Sequence, residues 1–218
     1  MESRPSPSPD LEEFAAQEAS IWKVNEYYDH AERFMDELWN GTIWPIVSGF
    51  DFRVTIDLAC GHGRNTAKLA PLAGLVYAMD VNDENVTFCQ ARFAGDSRVV
   101  PVRNNGISFH PVGDGTATAV YCFDAMVHFD SDVVRAYLQD LVRVLAPGGN
   151  GFFHHSNYTG APTGHFHDNP HVRNFMSAEL FAHYAAKAGL NVVSQKVIDW
   201  GGDAPRLDCL SVVQRPAR

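Results

Sequence analysis

From residue 54 onward, short apolar runs alternate with longer amphipathic ones, and this alternation constrains the fold of the 218-residue chain more than any other feature. Residues 54–59, 74–80, 99–102, 117–123 and 150–154 read as strands. Residues 65–72, 85–93 and 130–145 read as helices between them, with Pro147-Gly148-Gly149 as a sharp stop. Strand and helix in turn at this spacing imply βαβ crossovers and a parallel sheet. A helix over 177–188, closed by Gly189, then leads to strands at 191–197 and 207–214, paired as a hairpin through Gly201-Gly202-Asp203. The expected fold class is α/β: a doubly wound, mostly parallel sheet of seven strands, its last strand antiparallel, with helices added at the N-terminus.

Those N-terminal helices occupy 11–48, where Phe14, Ile21, Trp22, Tyr28, Phe34, Met35 and Leu38 recur at near-helical spacing until Pro45 and Gly49 end the pattern. Residues 1–10, rich in Pro and Ser, read as a flexible tail, neither a secretion signal nor a membrane span. The chain from 11 to 218 reads as one domain, and the expected location is the cytoplasm. A net charge of -9 with no Lys or Arg run argues against nucleic acid as a partner, because nothing supplies a basic stripe for phosphates. Cys60, Cys89, Cys122 and Cys209 lie far apart and read as buried free thiols. Residues 158–176, full of Gly, Pro, His and Asn without periodicity, read as a substrate lid.

The most informative segment runs from Val54 to Asn65, a strand that enters Gly61-His62-Gly63 and then a helix. Glycines let the backbone approach a ligand closely, and a helix N-terminus offers unpaired N–H groups to an anionic moiety. Asp80, at the end of the second strand, is placed for ribose hydroxyls. That much suits either NAD or S-adenosylmethionine. Thr66 stands where the dinucleotide fingerprint needs a third small residue, and an acid, Asp57, precedes the turn.

These residues resemble the class I S-adenosylmethionine-dependent methyltransferase family, whose first motif maps onto Asp57, Ala59, Gly61 and Gly63, with Ala59 replacing the first glycine. The resemblance spans about Thr55 to Gln214. It implies a Rossmann-like fold, S-adenosylmethionine as cofactor, and contacts from Asp80 to the ribose and from Val81 to the adenine. Asn105 and Gly106 fall near the adenine amine, and Phe123 opens the fourth strand end, Phe123-Asp124-Ala125-Met126-Val127-His128. Leu145-Ala146-Pro147-Gly148-Gly149 matches the family's turn before the fifth strand.

A hydroxyl acceptor needs a base, and histidine titrates in the useful range. His128, after the fourth strand, and His154 and His155, on the fifth, are the candidates; the last two point to opposite faces, so one at most meets the substrate, and one of that pair is preferred to His128 as the base. His165, His167, Asp168 and His171, with Asp124, offer weaker grounds for a divalent metal such as magnesium. Trp22, Tyr27, Tyr28, Trp39 and Trp44 are placed to cap the cofactor and shape the acceptor pocket. The expected activity is O-methylation of a small hydroxylated acceptor such as a sugar, polyol or natural product, by a protein that does not engage membranes and is a candidate homodimer. N-methylation of a small amine, NAD-dependent oxidoreduction, and a non-catalytic cofactor-binding module are the alternatives.

Overall fold

The computed structural model describes residues 9–23, 26–162, 166–201 and 204–217. Its strands are β1 (Val54–Leu58), β2 (Leu75–Asp80), β3 (Val99–Arg103), β4 (Ala117–Cys122), β5 (Leu145–Ser156), β6 (Asn191–Trp200) and β7 (Ala204–Gln214). They form one sheet in the order β3-β2-β1-β4-β5-β7-β6, parallel from β3 through β5 and antiparallel where β7 meets β5 and β6. The expected architecture is therefore the observed one. The chain reverses direction across the sheet between β1 and β4, and a crevice opens at such a switch point, beyond the carboxyl ends of the strands.

β4 is buried along its whole length, as a strand covered on both faces must be. Val120, Cys122 and Phe153 face one helical layer with Tyr137, Leu141 and Phe181. Tyr121, Phe152 and Val212 face the other, with Val47 and Leu69. The first layer is supplied by α7 (Ser131–Val144) and α8 (Ala178–Ala188). On α7, Val133, Val134, Tyr137, Leu138, Leu141 and Val144 make one apolar stripe, and the Asp130 carboxylate accepts the Asp132 N–H at 2.7 Å to close its first turn. Such a cap contributes about 1 kcal/mol. α8 is opened by the Ser177 hydroxyl, which accepts the Leu180 N–H at 3.1 Å, and closed by Gly189 at φ 92°.

The N-terminal region departs from a continuous helix. It breaks into α1 (Pro9–Ala19), α2 (Tyr27–Glu32), α3 (Met35–Leu38) and α4 (Trp44–Val47), with a 3-10 turn at Ser20–Trp22 and a widened turn at Trp39–Ile43. Pro45 has no N–H to offer the carbonyl of Gly41 four residues back, which accounts for the widening just before it. β5 begins at Leu145 rather than at 150, so Pro147-Gly148-Gly149 is a bulge within the strand: Leu145 pairs with Ala117, and Asn150 already pairs with Ala119.

Residues 166–176 hold two 3-10 turns, Phe166–Asp168 and Pro170–Val172, and are pinned to the body of the domain. Phe166, Arg173 and Met176 are buried, and Asn174 N–H bonds the Val127 carbonyl at 3.0 Å. His165, Gly202, Asp203 and residues 1–8 of the expected tail lie outside the described residues. No helix among the described residues is long and apolar enough to cross a membrane.

Candidate active site

β1 delivers the chain into a turn that requires left-handed backbone at Ala59 (φ 54°), Gly61 (φ 53°) and Gly63 (φ 83°), before α5 (Arg64–Leu69) begins. A Cβ on Gly61 would stand 2.3 Å from the Tyr28 ring, and one on Gly63 would stand 2.6 Å from Phe93. Both glycines are thus required by space as well as by φ. Ala59 adopts the glycine-like conformation despite its methyl group, at about 1–2 kcal/mol.

Asp80 closes the turn from β2. One carboxylate oxygen accepts the Gly61 N–H at 2.9 Å and the other the Asn82 N–H at 2.9 Å. Burial raises its pKa against these bonds. Asp57, behind the turn, accepts the Thr66 hydroxyl at 2.6 Å, and burial pushes it up to about 7. Thr66, which departs from the dinucleotide pattern, therefore has a structural task of its own.

A cavity of about 1030 Å³, counted out to its open mouth, lies over this turn. Ala59, Asp80, Val81, Gly106 and Phe123 line it; Asp57, Gly61, Gly63 and Asn105 do not. Gly61 and Gly63 shape the turn from beneath their neighbours. Asn105 is taken up elsewhere: its amide donates to Glu12 of α1 at 2.8 Å and its oxygen accepts the Ser108 N–H at 3.0 Å. Asn104 takes its place on the wall.

The N-terminal segments roof the cavity. Asn82 donates to the Ala19 carbonyl at 2.9 Å, Asn85 to the Trp22 carbonyl at 3.2 Å, and the Tyr28 hydroxyl to the same carbonyl at 2.7 Å. Tyr28 stacks on His62, centroids 4.1 Å apart, and His62 on Phe88 at 3.8 Å.

The cavity fits the cofactor that the sequence implies. Asn85 Oδ1, on its wall, is buried without a hydrogen-bond partner among the described residues. It is an acceptor, and an orphaned buried acceptor costs about 1–3 kcal/mol until a donor reaches it. S-adenosylmethionine carries an ammonium group and ribose hydroxyls as donors, and Asp80 retains further lone pairs for hydroxyls.

At the carboxyl end of β4 stands a second cluster. Asp124, at φ 60°, accepts Arg64 Nη2 at 2.6 Å and the Tyr27 hydroxyl. Burial raises its pKa, but Arg64, His154 and the two hydrogen bonds outweigh this and hold the carboxyl below its ordinary value. The Asp124 N–H donates to His154 Nδ1 at 3.2 Å, so the His154 proton sits on Nε2 and is donated to Asp208 at 2.9 Å. Asp208 is gripped as well by Arg173, at 2.9 and 2.7 Å, and lies at about 2: burial raises it, and His154 and Arg173 overcome that.

The three candidate histidines are separated by this arrangement. His154 and His155 do face opposite sides of β5, and both are fully buried. His155 stacks on Phe181 at 4.1 Å, donates from Nδ1 to the Ser156 carbonyl and accepts the Ser211 hydroxyl at Nε2, far from a proton-transfer role. His154 has both nitrogens engaged, so the expectation that one of this pair meets the substrate does not fit their placement. His128 does line the cavity. Its Nδ1 donates to the Val172 carbonyl at 2.7 Å, which leaves Nε2 as the basic nitrogen, and Trp22 stacks on the ring at 4.6 Å. Burial and then Arg173 press its pKa down to about 4. Among the described residues, no group of three or more His, Cys, Asp or Glu side chains is placed to hold a metal ion.

Arg64, Arg173 and Asp208 were not singled out by sequence. Arg64 was within reach, since it follows the glycine turn. Arg173 and Asp208 lie 35 residues apart, with no spacing to join them.

Residues 55–149 match the methyltransferase-domain family. A demethylmenaquinone methyltransferase of Clavibacter sepedonicus is 29% identical over 131 residues, 58% of this chain, so the match spans about half (52%) of that curated relative. A Leishmania major SAM-dependent methyltransferase superposes with a TM-score of 0.69 at 14% identity, over 94% of this chain and 85% of that one. Geranyl diphosphate C-methyltransferase of Streptomyces coelicolor gives 0.67 at 14%, over 97% and 100%. Over residues 55–149 the chain carries a methyltransferase-domain match, and its fold is shared with S-adenosylmethionine-dependent methyltransferases, which supports the resemblance to the class I family.

Proposed function

We propose that this protein transfers the methyl group of S-adenosylmethionine to a hydroxyl of a small acceptor, with His128 taking the proton. The observation that carries the reading is the single cavity that runs from the glycine turn and Asp80 to Asp124 and His128, so that cofactor and base share one space. S-adenosylmethionine, when bound, supplies an electrophilic methyl group that needs no further activation.

The chain's own part is to hold and orient. Asp80 and Asn85 would receive the cofactor's hydroxyl and amine donors, Val81 and Gly106 would hold its adenine, and Phe123 and Ala59 would support it from the cavity lining. The roof of Trp22 and Tyr28 excludes water. Placement of the acceptor contributes much of the rate, and a base of modest strength supplies the rest. His128 is neutral at pH 7, with its tautomer fixed by Val172, and therefore presents a lone pair at Nε2. Asp124 remains ionised against Arg64 and orders the polar wall beside it. His154 acts through Asp124, as a positioning residue.

The test is methyl transfer from labelled cofactor to a panel of hydroxylated and amine acceptors, with His128→Ala and His155→Ala compared. O-transfer is expected to fall by about 10²- to 10⁴-fold in His128→Ala only. Equal activity in wild type and His128→Ala contradicts the assigned base, and full retention on an amine acceptor identifies N-transfer.

A further inference from the structure

We propose that the acceptor reaches the site through a second cleft, between α2–α3 and β6, and that it is a neutral hydroxylated ring, such as a saccharide, laid against Trp200. The proposal rests on the methyltransferase reading above. The cleft encloses about 1340 Å³, counted out to solvent, and shares Tyr27, Arg64, Phe123 and Asp124 with the cofactor cavity. Those four residues therefore form the wall where the two spaces meet, and a group arriving from the cleft encounters the far end of the cofactor cavity there.

The cleft's chemistry selects its ligand. Its sides are apolar, from Phe34, Leu38, Ile198 and Trp200. Trp200 is a rigid platform: the Arg173 guanidinium sits 5.2 Å from its ring centroid, His154 4.9 Å and Phe123 6.3 Å. An indole face of this kind matches the C–H face of a sugar ring, while the ring's hydroxyls need polar partners at the edge. His30, Glu37, Lys196 and Asp199 supply them. At the inner end Arg64 is paired with Asp124 at 2.6 Å, and at the edge Lys196 is set against Glu37 and Asp199, so the described lining offers a phosphate or carboxylate no net positive charge. Lys196 and Ile198 alternate with Val197 along β6, which turns one face of this edge strand toward the cleft.

The experiment is saturation-transfer NMR on the full chain loaded with S-adenosylhomocysteine. The probes are methyl glycosides of hexoses and 6-deoxyhexoses, myo-inositol, and a hexose phosphate. The expected result is transfer to a neutral glycoside or to inositol, reduced at least tenfold in Trp200→Ala, with S-adenosylhomocysteine affinity within twofold of wild type. Thr42→Trp, which fills the cleft from the opposite wall and leaves the packing around Trp200 intact, is expected to give the same loss. Absence of any neutral-ring signal on the loaded wild type, preference for the phosphate, or an undiminished signal in both variants overturns the proposal alone. Failure of S-adenosylhomocysteine to bind wild type overturns the methyltransferase reading and this proposal with it.

Discussion

The two halves of the sheet use buried charge in opposite ways. On the β1–β2 side, Asp57 and Asp80 are buried carboxylates with no cation bonded to them among the described residues; they accept a hydroxyl and backbone N–H groups, and burial raises both pKa values. On the β4–β5–β7 side, Asp124 and Asp208 are bonded to Arg64 and Arg173, and both are held low. The first arrangement leaves acceptor capacity for a ligand that brings donors. The second is closed on itself, and it fixes geometry rather than waiting for a partner.

The sharpest way to break this contrast is to remove a cation from the closed side. Arg64→Met leaves Asp124 buried without its ion pair and is expected to cost about 3–5 kcal/mol in urea unfolding. A loss below about 1 kcal/mol would show that the pair is not closed in the way described. The open side is expected to respond in binding instead. Gly61→Ala forces Tyr28 off the turn and strains φ, and should weaken S-adenosylhomocysteine by about 100-fold in calorimetry; the strain part alone is about 1–3 kcal/mol.

Acid titration separates the two sides further. His128 and His155 titrate at about 4 in the folded chain, against about 6.5 when unfolded. Below 6.5 the unfolded chain binds more protons, so stability contributed by these groups is present near neutrality and is lost as pH falls from about 6.5 toward 4. The urea midpoint is expected to drop between pH 7 and pH 5, and less steeply in His155→Phe. An unchanged slope would place the titration elsewhere. The smallest effect is expected at Ala59→Gly, where relief of left-handed strain is offset by glycine's greater unfolded-state entropy, giving a change within about 1 kcal/mol by thermal melting.

The same contrast explains what could be read in the sequence. The strand-turn-helix at 54–65 and Asp80 are local: a glycine at positive φ or an acid at a strand end leaves its mark within a few residues. The mostly parallel sheet followed from the alternation of strand and helix, whereas its strand order did not. The histidines of β5 could be placed on opposite faces by period alone, but not assigned to partners, because Asp208 reaches His154 from β7 and is itself held by Arg173 from the loop before α8. Asn105 and Asn104 are adjacent, and only the tie from Glu12, 93 residues away, decides which of them faces the cavity. The broken N-terminal helices were hidden because their apolar residues serve two purposes, packing on the sheet and roofing the cavity.

The central claim is that the open side is built for S-adenosylmethionine. Calorimetric titration of the purified chain with S-adenosylmethionine, S-adenosylhomocysteine and NAD tests it most directly. The account predicts saturable binding of the first two and none of the third; binding of NAD alone would contradict it.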